Sequence, residues 1–132
     1  MQTKTIKQTV TFNVPPDEVY DALMDSKKHS AFTGAKAAIS KKKGGKYSAY
    51  DGYHGGMNLE LIPGKKIVQS WHAQNWEKGH FAKATFLFTK IKTGTLVKFI
   101  RAGVPDYDYK SIHNGWKEYY WKPLSLNLRC YE

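Results

Sequence analysis

Trp76-Glu77-Lys78-Gly79-His80-Phe81, Gly103-Val104-Pro105 and Gly115-Trp116-Lys117-Glu118-Tyr119-Tyr120 are the stretches whose reading decides the fold of this chain. The first brings a turn and two aromatic rings to the start of a strand. The second closes a strand, and the third lies in an aromatic-rich helix. Between them, Phe81 to Ile91 reads as a long strand, Lys92-Thr93-Gly94 as a turn and Thr95 to Arg101 as the last strand. Further on, Ile112, Trp116, Tyr119, Tyr120, Pro123, Leu124 and Leu128 fall at helical spacing, which predicts a helix from about Asp108 to Leu128. Pro123 removes one backbone donor inside that pattern and predicts a kink.

Upstream, Ile6, Gln8, Val10, Phe12 and Val14 alternate with polar residues, as in a half-buried strand stopped by Pro15-Pro16. Pro16-Asp17-Glu18 starts a helix with acidic residues in its first turn, where the helix dipole favours them. Val19, Tyr20, Leu23 and Met24 mark its buried side. Asp25-Ser26 ends it and caps a second, short helix through about Phe32, with Gly34 as a stop. Then the texture changes to strands and turns. Lys36 to Ser40 is a short strand, Lys41 to Gly45 a hairpin, Lys46 to Asp51 a strand and Gly52 to Gly56 a Gly-rich turn. Met57, Leu59 and Leu61 alternate up to the turn Pro63-Gly64-Lys65, and Ile67, Gln69, Trp71 and Ala73 form one face of another strand. The order is strand, two helices, six short strands, long helix. Strands joined by short loops pair antiparallel, and one long amphipathic helix can cover the concave face of the sheet. The expectation is an α+β fold in one domain over residues 1–132.

A chain of 132 residues can bury a full core without a metal or disulfide, and four Trp, nine Tyr and six Phe suit one. The single cysteine, Cys130, cannot form an internal bridge, so a reducing, cytoplasmic location is expected. Met1-Gln2-Thr3-Lys4-Thr5 has no apolar run behind its charge, which speaks against a signal peptide. No apolar stretch approaches the ~20 residues of a membrane span. The net charge of +10 points to an acidic partner. Of the 21 basic residues only Arg101 and Arg129 are Arg, and base readout leans on the Arg fork, so sequence-specific nucleic-acid binding is not expected.

Several motifs are similar to one family. Gly44-Gly45-Lys46-Tyr47 followed by Asp51-Gly52 resembles its hairpin entry, Leu61-Ile62-Pro63-Gly64-Lys65-Lys66-Ile67-Val68 its central turn, and Trp71 its central strand. Trp76 through Phe81 resembles its aromatic turn, with Glu77 where the family carries Pro. Gly103-Val104-Pro105 and Gly115-Trp116, with Tyr119-Tyr120 one turn on, resemble its closing segment. The family is the C-terminal domain of the activators of the ninety-kilodalton heat-shock chaperone's ATPase, within the START-like (SRPBCC) helix-grip superfamily, and the resemblance runs from about Val10 to Leu126. It implies a curved antiparallel sheet of about seven strands wrapped around a long C-terminal helix, with two short helices after the first strand. It also implies a heat-shock-protein-90-type chaperone as partner and a mode of action by binding. The resemblance is to the C-terminal domain of full-length activators and does not extend to their additional N-terminal domain, and His72 stands where the family carries Arg.

Trp71, Phe86, Phe88, Trp116, Tyr119 and Tyr120 are the candidates for lining a cavity that takes a small hydrophobic ligand, since such pockets combine apolar walls with a few Tyr and Trp donors. The competing reading is that the same rings fill the sheet–helix interface. Lys41, Lys42 and Lys43, with Trp76 and Phe81, are the candidates for contacting the chaperone, against the plainer reading of a solvated hairpin tip. Asp51-x-x-His54, His72 and His80 form no compact metal-ligand set. No nucleophile sits on a recognisable strained turn beside a base, and Ser111 and His113 cannot face each other two residues apart on a helix. Asp51, Glu60 and His72 remain as an acid–base group in principle. No catalytic residue, metal or cofactor is expected.

Overall fold

The computed structural model describes residues 2–129, the side chains of 126, 127 and 129 excepted. The elements are β1 (Thr3–Phe12), α1 (Pro16–Met24), α2 (Ser26–Thr33), β2 (Ala38–Ile39), β3 (Lys46–Ala49), β4 (His54–Ile62), β5 (Lys66–Ala73), β6 (Ala82–Ile91), β7 (Gly94–Pro105), α3 (Tyr109–Trp116) and α4 (Lys122–Arg129). A 3-10 turn over Asp106–Asp108 leads into α3, and a π-helical stretch over Lys117–Trp121 joins α3 to α4. The seven strands form one antiparallel sheet in the order β1-β7-β6-β5-β4-β3-β2. This is the expected helix-grip α+β architecture, with the C-terminal helix laid over one face of the sheet.

The period-two readings of β1 and β5 match the faces they bury, and β6 and β7, read only as strands, alternate in the same way. Ala82, Ala84, Phe86 and Phe88 of β6 point inward beside Val97, Phe99 and Arg101 of β7. Asp25 caps α2 as its side chain accepts from the Lys28 amide at 3.0 Å.

β4 departs from the expectation. Gly55 and Gly56, read from sequence as part of a turn, lie inside the strand. A Cβ on Gly56 would stand 1.9 Å from the Ser70 carbonyl oxygen, and one on Gly55 2.4 Å from that of Tyr47, so close backbone approach selects glycine here. A register shift between Asn58 and Glu60 then switches which residues face inward. Asn58 opposite Gln69 is buried, and after the bulge Leu61 opposite Ile67 faces the core, while Met57 and Leu59 stay exposed. The buried Asn58 has a clear task. Its amide donates to the carbonyls of Ser40 and Lys42 at 2.7 and 3.1 Å, and its oxygen accepts from Gln69 at 3.0 Å. It therefore pins the lysine hairpin to the sheet.

The kink expected at Pro123 takes the form of the π-helical turn just before it. The Lys122 amide bonds to the Lys117 carbonyl five residues back. Pro123 offers no N–H to the Tyr119 carbonyl, and the Tyr50 hydroxyl donates there instead. A chain-distant tyrosine thus satisfies an acceptor that proline orphans.

Trp116 joins helix to sheet. Its ring stacks on Phe99 of β7 at 5.2 Å and 4° and on Tyr120 at 3.8 Å and 9°. Trp116→Ala is expected to cost about 3–5 kcal/mol, as for other fully buried large aromatics. Urea unfolding of the variant checks this; a loss under about 1 kcal/mol would mean the ring carries no packing load.

Candidate functional site

The floor of the site is built on three neighbouring strands. Trp71 of β5 pairs with Ala82 of β6, and Ala84 of β6 pairs with Arg101 of β7. With only methyl groups on β6 between them, the Arg101 side chain can lie across the sheet. Its guanidinium carbon stands 4.0 Å from the Trp71 ring centre, 4.1 Å from that of Trp116 and 4.8 Å from that of Phe99. Arg101 is 0% exposed, and no carboxylate pairs with it among the described residues. Burial pulls the guanidinium down to about 9, opposed by the nearby Tyr47 and Tyr120, so it is charged at neutral pH. Cation–π attraction to the indoles offsets part of the lost hydration.

Beside it runs a directional hydrogen-bond chain. His29 Nδ1 lies 3.0 Å from the Leu23 carbonyl, which can only accept, so this nitrogen carries the proton. His29 Nε2 then accepts from the Tyr120 hydroxyl at 3.0 Å, and the Tyr120 oxygen accepts from His54 Nε2 at 2.8 Å. Both rings are neutral. Burial holds His54 well below the usual imidazole range, with Arg101 and His29 adding to the effect, and burial lowers His29 while its Leu23 partner opposes. The chain leaves His54 Nδ1 without a partner. Among the described residues, the buried side-chain atoms with no hydrogen-bond partner are this nitrogen, Trp71 Nε1, Trp116 Nε1 and the three nitrogens of Arg101.

Against Trp71 and Trp116, with Arg101 behind them, opens a cleft of about 410 Å³ between the β3–β4 turn and the C-terminal helix. Tyr50, Tyr53 and His54 supply one wall, Ile112, Trp116 and Tyr119 the other. Tyr53 is 40% and Tyr119 64% exposed at the mouth. The turn that carries Tyr50 is strained: Tyr50, Asp51 and Gly52 have φ of 51, 57 and 88°. Asp51 holds it by accepting from the Lys36 amide at 2.9 Å and donating its own amide to the Lys36 carbonyl at 3.0 Å.

Of the cavity candidates, Trp71, Trp116, Tyr119 and Tyr120 line this cleft. Phe86 and Phe88 do not. Phe86 packs on Phe99 and Trp121, at 4.8 and 6.2 Å, and Phe88 on Tyr20 at 5.9 Å, further along the same inward face of β6. Of the partner candidates, Lys41, Lys42 and Lys43 are exposed at the hairpin, Lys41 pairing with Asp25 at 3.1 Å. Phe81 is 52% exposed against His72, at the opposite end of the β3–β4 pair from the hairpin. Trp76, the remaining partner candidate, is not placed to contact a partner: it is buried, packs edge-on against Trp71 at 5.0 Å, and donates its indole N–H to Asp108 at 2.7 Å. Asp51, Glu60 and His72 do not converge. Asp51 holds the turn, Glu60 pairs with Lys66 at 2.9 Å, and His72 Nδ1 donates to the His80 carbonyl at 2.7 Å. Among the described residues no three His, Cys, Asp or Glu could hold a metal ion, and no helix is long and apolar enough to cross a membrane. Cys130 lies outside the described residues. Sequence reading missed Arg101, His54, Tyr50 and Tyr53. Its one available signal was parity: Arg101 continues the inward series Val97, Phe99.

The two neutral histidines make stability pH-dependent. An unfolded chain protonates both below about pH 6.5, whereas the fold resists, so the unfolded state binds more protons and stability falls as pH drops. The loss begins near pH 6.5 and grows by up to about 1.4 kcal/mol per pH unit for each histidine. Urea unfolding from about pH 7.5 to about 5 measures the slope, and His54→Gln is expected to remove one histidine's share of it.

A family model described as Activator of Hsp90 ATPase homolog 1-like protein matches residues 13–128. The "Activator of 90 kDa heat shock protein ATPase homolog" of Dictyostelium discoideum is 36% identical over 116 residues, 87% of this chain and 30% of that protein. The "Activator of 90 kDa heat shock protein ATPase homolog 1" of Homo sapiens is 32% identical over 120 residues, 91% of this chain and 35% of that protein. The chain thus spans about a third of the length of these relatives. A crystal structure of an HSP90 activator from Plasmodium falciparum superposes with a TM-score of 0.87 at 24% identity, covering 94% of this chain and 95% of that one. CalU16 from Micromonospora echinospora shares the fold with a TM-score of 0.81 at 17% identity, over 96% of this chain and 76% of its own. The family match runs from before α1 into α4, the cleft and the buried arginine behind it included, and this chain belongs to the Activator of Hsp90 ATPase homolog 1-like family.

Proposed function

We propose that this chain is a non-enzymatic binding module that docks on a cytosolic chaperone of the 90 kDa heat shock class. The observation that carries this reading is similarity at 32–36% identity, over 87–91% of the chain, to proteins named as activators of that chaperone's ATPase. The surface supports it. A net charge of +10 resides almost wholly on Lys, and Lys41, Lys42 and Lys43 stand exposed on a hairpin that Asn58 anchors. Phe81, Met57 and Leu59 add exposed apolar groups on the outer side of the sheet. Lysines so placed steer an acidic partner into encounter more than they tighten the final complex.

Binding to the chaperone is expected to weaken steeply with salt, because exposed charges are screened within ~10 Å at 0.1 M. Replacing Lys41, Lys42 and Lys43 together by Glu is expected to slow association more than it speeds dissociation. Calorimetry at low salt decides: no heat of binding to the chaperone of the same organism would remove this reading.

The cleft favours a second reading, a carrier or sensor of a small hydrophobic molecule. Its volume of about 410 Å³ lies in the range of small-molecule sites, and its walls are mainly aromatic. A ligand at a hundredfold excess over its Kd would add about 2.7 kcal/mol of stability. A melting screen with flat aromatic compounds is expected to show upward shifts, accompanied by a change in Trp71 and Trp116 fluorescence. A panel without a single shift would remove the carrier reading and leave the docking one.

A further inference from the structure

The buried polar atoms without partners are not scattered. They belong to four side chains in mutual contact. Arg101 stands 4.0 and 4.1 Å from the ring centres of Trp71 and Trp116, and His54 stacks on Trp71 at 5.0 Å. Five of the six atoms bear N–H donors: three nitrogens of Arg101 and the two indole nitrogens. The cluster therefore has an excess of donors and one positive charge, with no carboxylate to receive them among the described residues. Indole faces attract the charge of a guanidinium, but they do not accept its N–H bonds as oxygens do.

Three of the four residues also line the cleft. Below them lies a second void of about 20 Å³, and His54, Trp71, Trp116 and Tyr120 border both spaces. These four rings are a wall between the open aromatic cleft and the interior that holds the guanidinium. Tyr120 belongs to the π-helical stretch, where the regular helix ladder is already interrupted.

We propose that the cleft binds a flat aromatic monocarboxylate, its ring against the tyrosines and tryptophans of the cleft and its carboxylate received by Arg101 and the indole N–H groups of Trp71 and Trp116. The proposal rests on the carrier reading and narrows it to acids. A carboxylate offers about four lone-pair sites in the plane that a guanidinium fork matches. One guanidinium balances one negative charge, which favours a monocarboxylate over a phosphate monoester. The aromatic walls select a flat ring system. Because Arg101 stands behind the wall, the Tyr120 ring, stacked on Trp116, moves aside as the acid enters, so binding alters tryptophan emission.

The test uses the full chain with naphthalene carboxylate and its carboxamide, a pair alike in shape and different in charge, followed by thermal melting and tryptophan fluorescence at neutral pH. The acid is expected to bind at least about tenfold more tightly than the amide, as for charge-assisted over neutral hydrogen bonds. Arg101→Met is expected to fold and to lose the preference for the acid over the amide. Arg101→Lys, which keeps the charge and removes the fork, is expected to lose most of it. Should Arg101→Met fail to fold, the acid–amide comparison on the unaltered chain decides by itself. Equal affinity for acid and amide overturns the acid proposal and leaves the carrier reading standing. No shift with either compound, across a panel of such pairs, overturns both and assigns the cluster's donors to internal water alone.

Discussion

The guanidinium of Arg101, held between an indole from the sheet and an indole from the helix, constrains most of what surrounds it. A buried charge without a counter-ion needs electron-rich faces close by, and Trp71 and Trp116 supply them at about 4 Å. To lie there the side chain must cross β6, which is why the residues facing it on that strand are Ala82 and Ala84. The charge also adds to the burial that depresses His54, whose neutral ring is needed for the directional chain through Tyr120 to His29 and the Leu23 carbonyl. The C-terminal helix is fixed by the same contact. Trp116 must meet Arg101 and Phe99 together, and Tyr120 then stacks on Trp116 one turn later.

Much of this fold was legible in the sequence, and the reasons for the failures are physical. Period-two alternation located β1 and β5 because the inward face of each is mostly nonpolar, and β6 and β7 were legible as strands between turn signals. β4 broke the rule, since its buried positions include His54 and Asn58 while Met57 and Leu59 face outward. A bulge between Asn58 and Glu60 reverses the parity midway, and no residue pattern announces it. Gly55-Gly56 read as a turn because glycine signals both turns and close backbone approach; only the neighbouring strands show which applies. Trp76 was grouped with Phe81 as a partner contact because its own partner, Asp108, lies 32 residues away in sequence. The aromatic excess pointed to the right helix and the right strand for the cleft, but not to Phe86 and Phe88, whose place along β6 puts them deeper in the core. Arg101 was counted with the surface charge, as arginines usually are.

The C-terminal helix shows how one proline can shape a site. An α-helix through residue 123 would need an amide that proline lacks, and the chain answers with a π-helical turn over Lys117–Trp121. That turn leaves Tyr119 exposed at the cleft mouth and Tyr120 buried in the histidine chain, although the two are adjacent. The freed Tyr119 carbonyl is met by Tyr50, which sits on a turn held at positive φ. The strained turn and the interrupted helix are therefore the two ends of one hydrogen bond, and the cleft lies between them.

A stability argument alone does not account for this arrangement. A buried ion that lacks a partner is unfavourable by several kcal/mol even after relaxation, and apolar residues of similar volume often stabilise a core by comparison. Structural buried polar groups in this same chain are satisfied: Asn58 donates to the hairpin and accepts from Gln69, Gln8 accepts from Trp121, and Thr95 donates to the Val14 carbonyl. The unsatisfied atoms gather instead in the wall of the cleft and directly behind it. The contrast between a core that settles its polar groups and a cleft that leaves them open is what favours recognition as the role of Arg101.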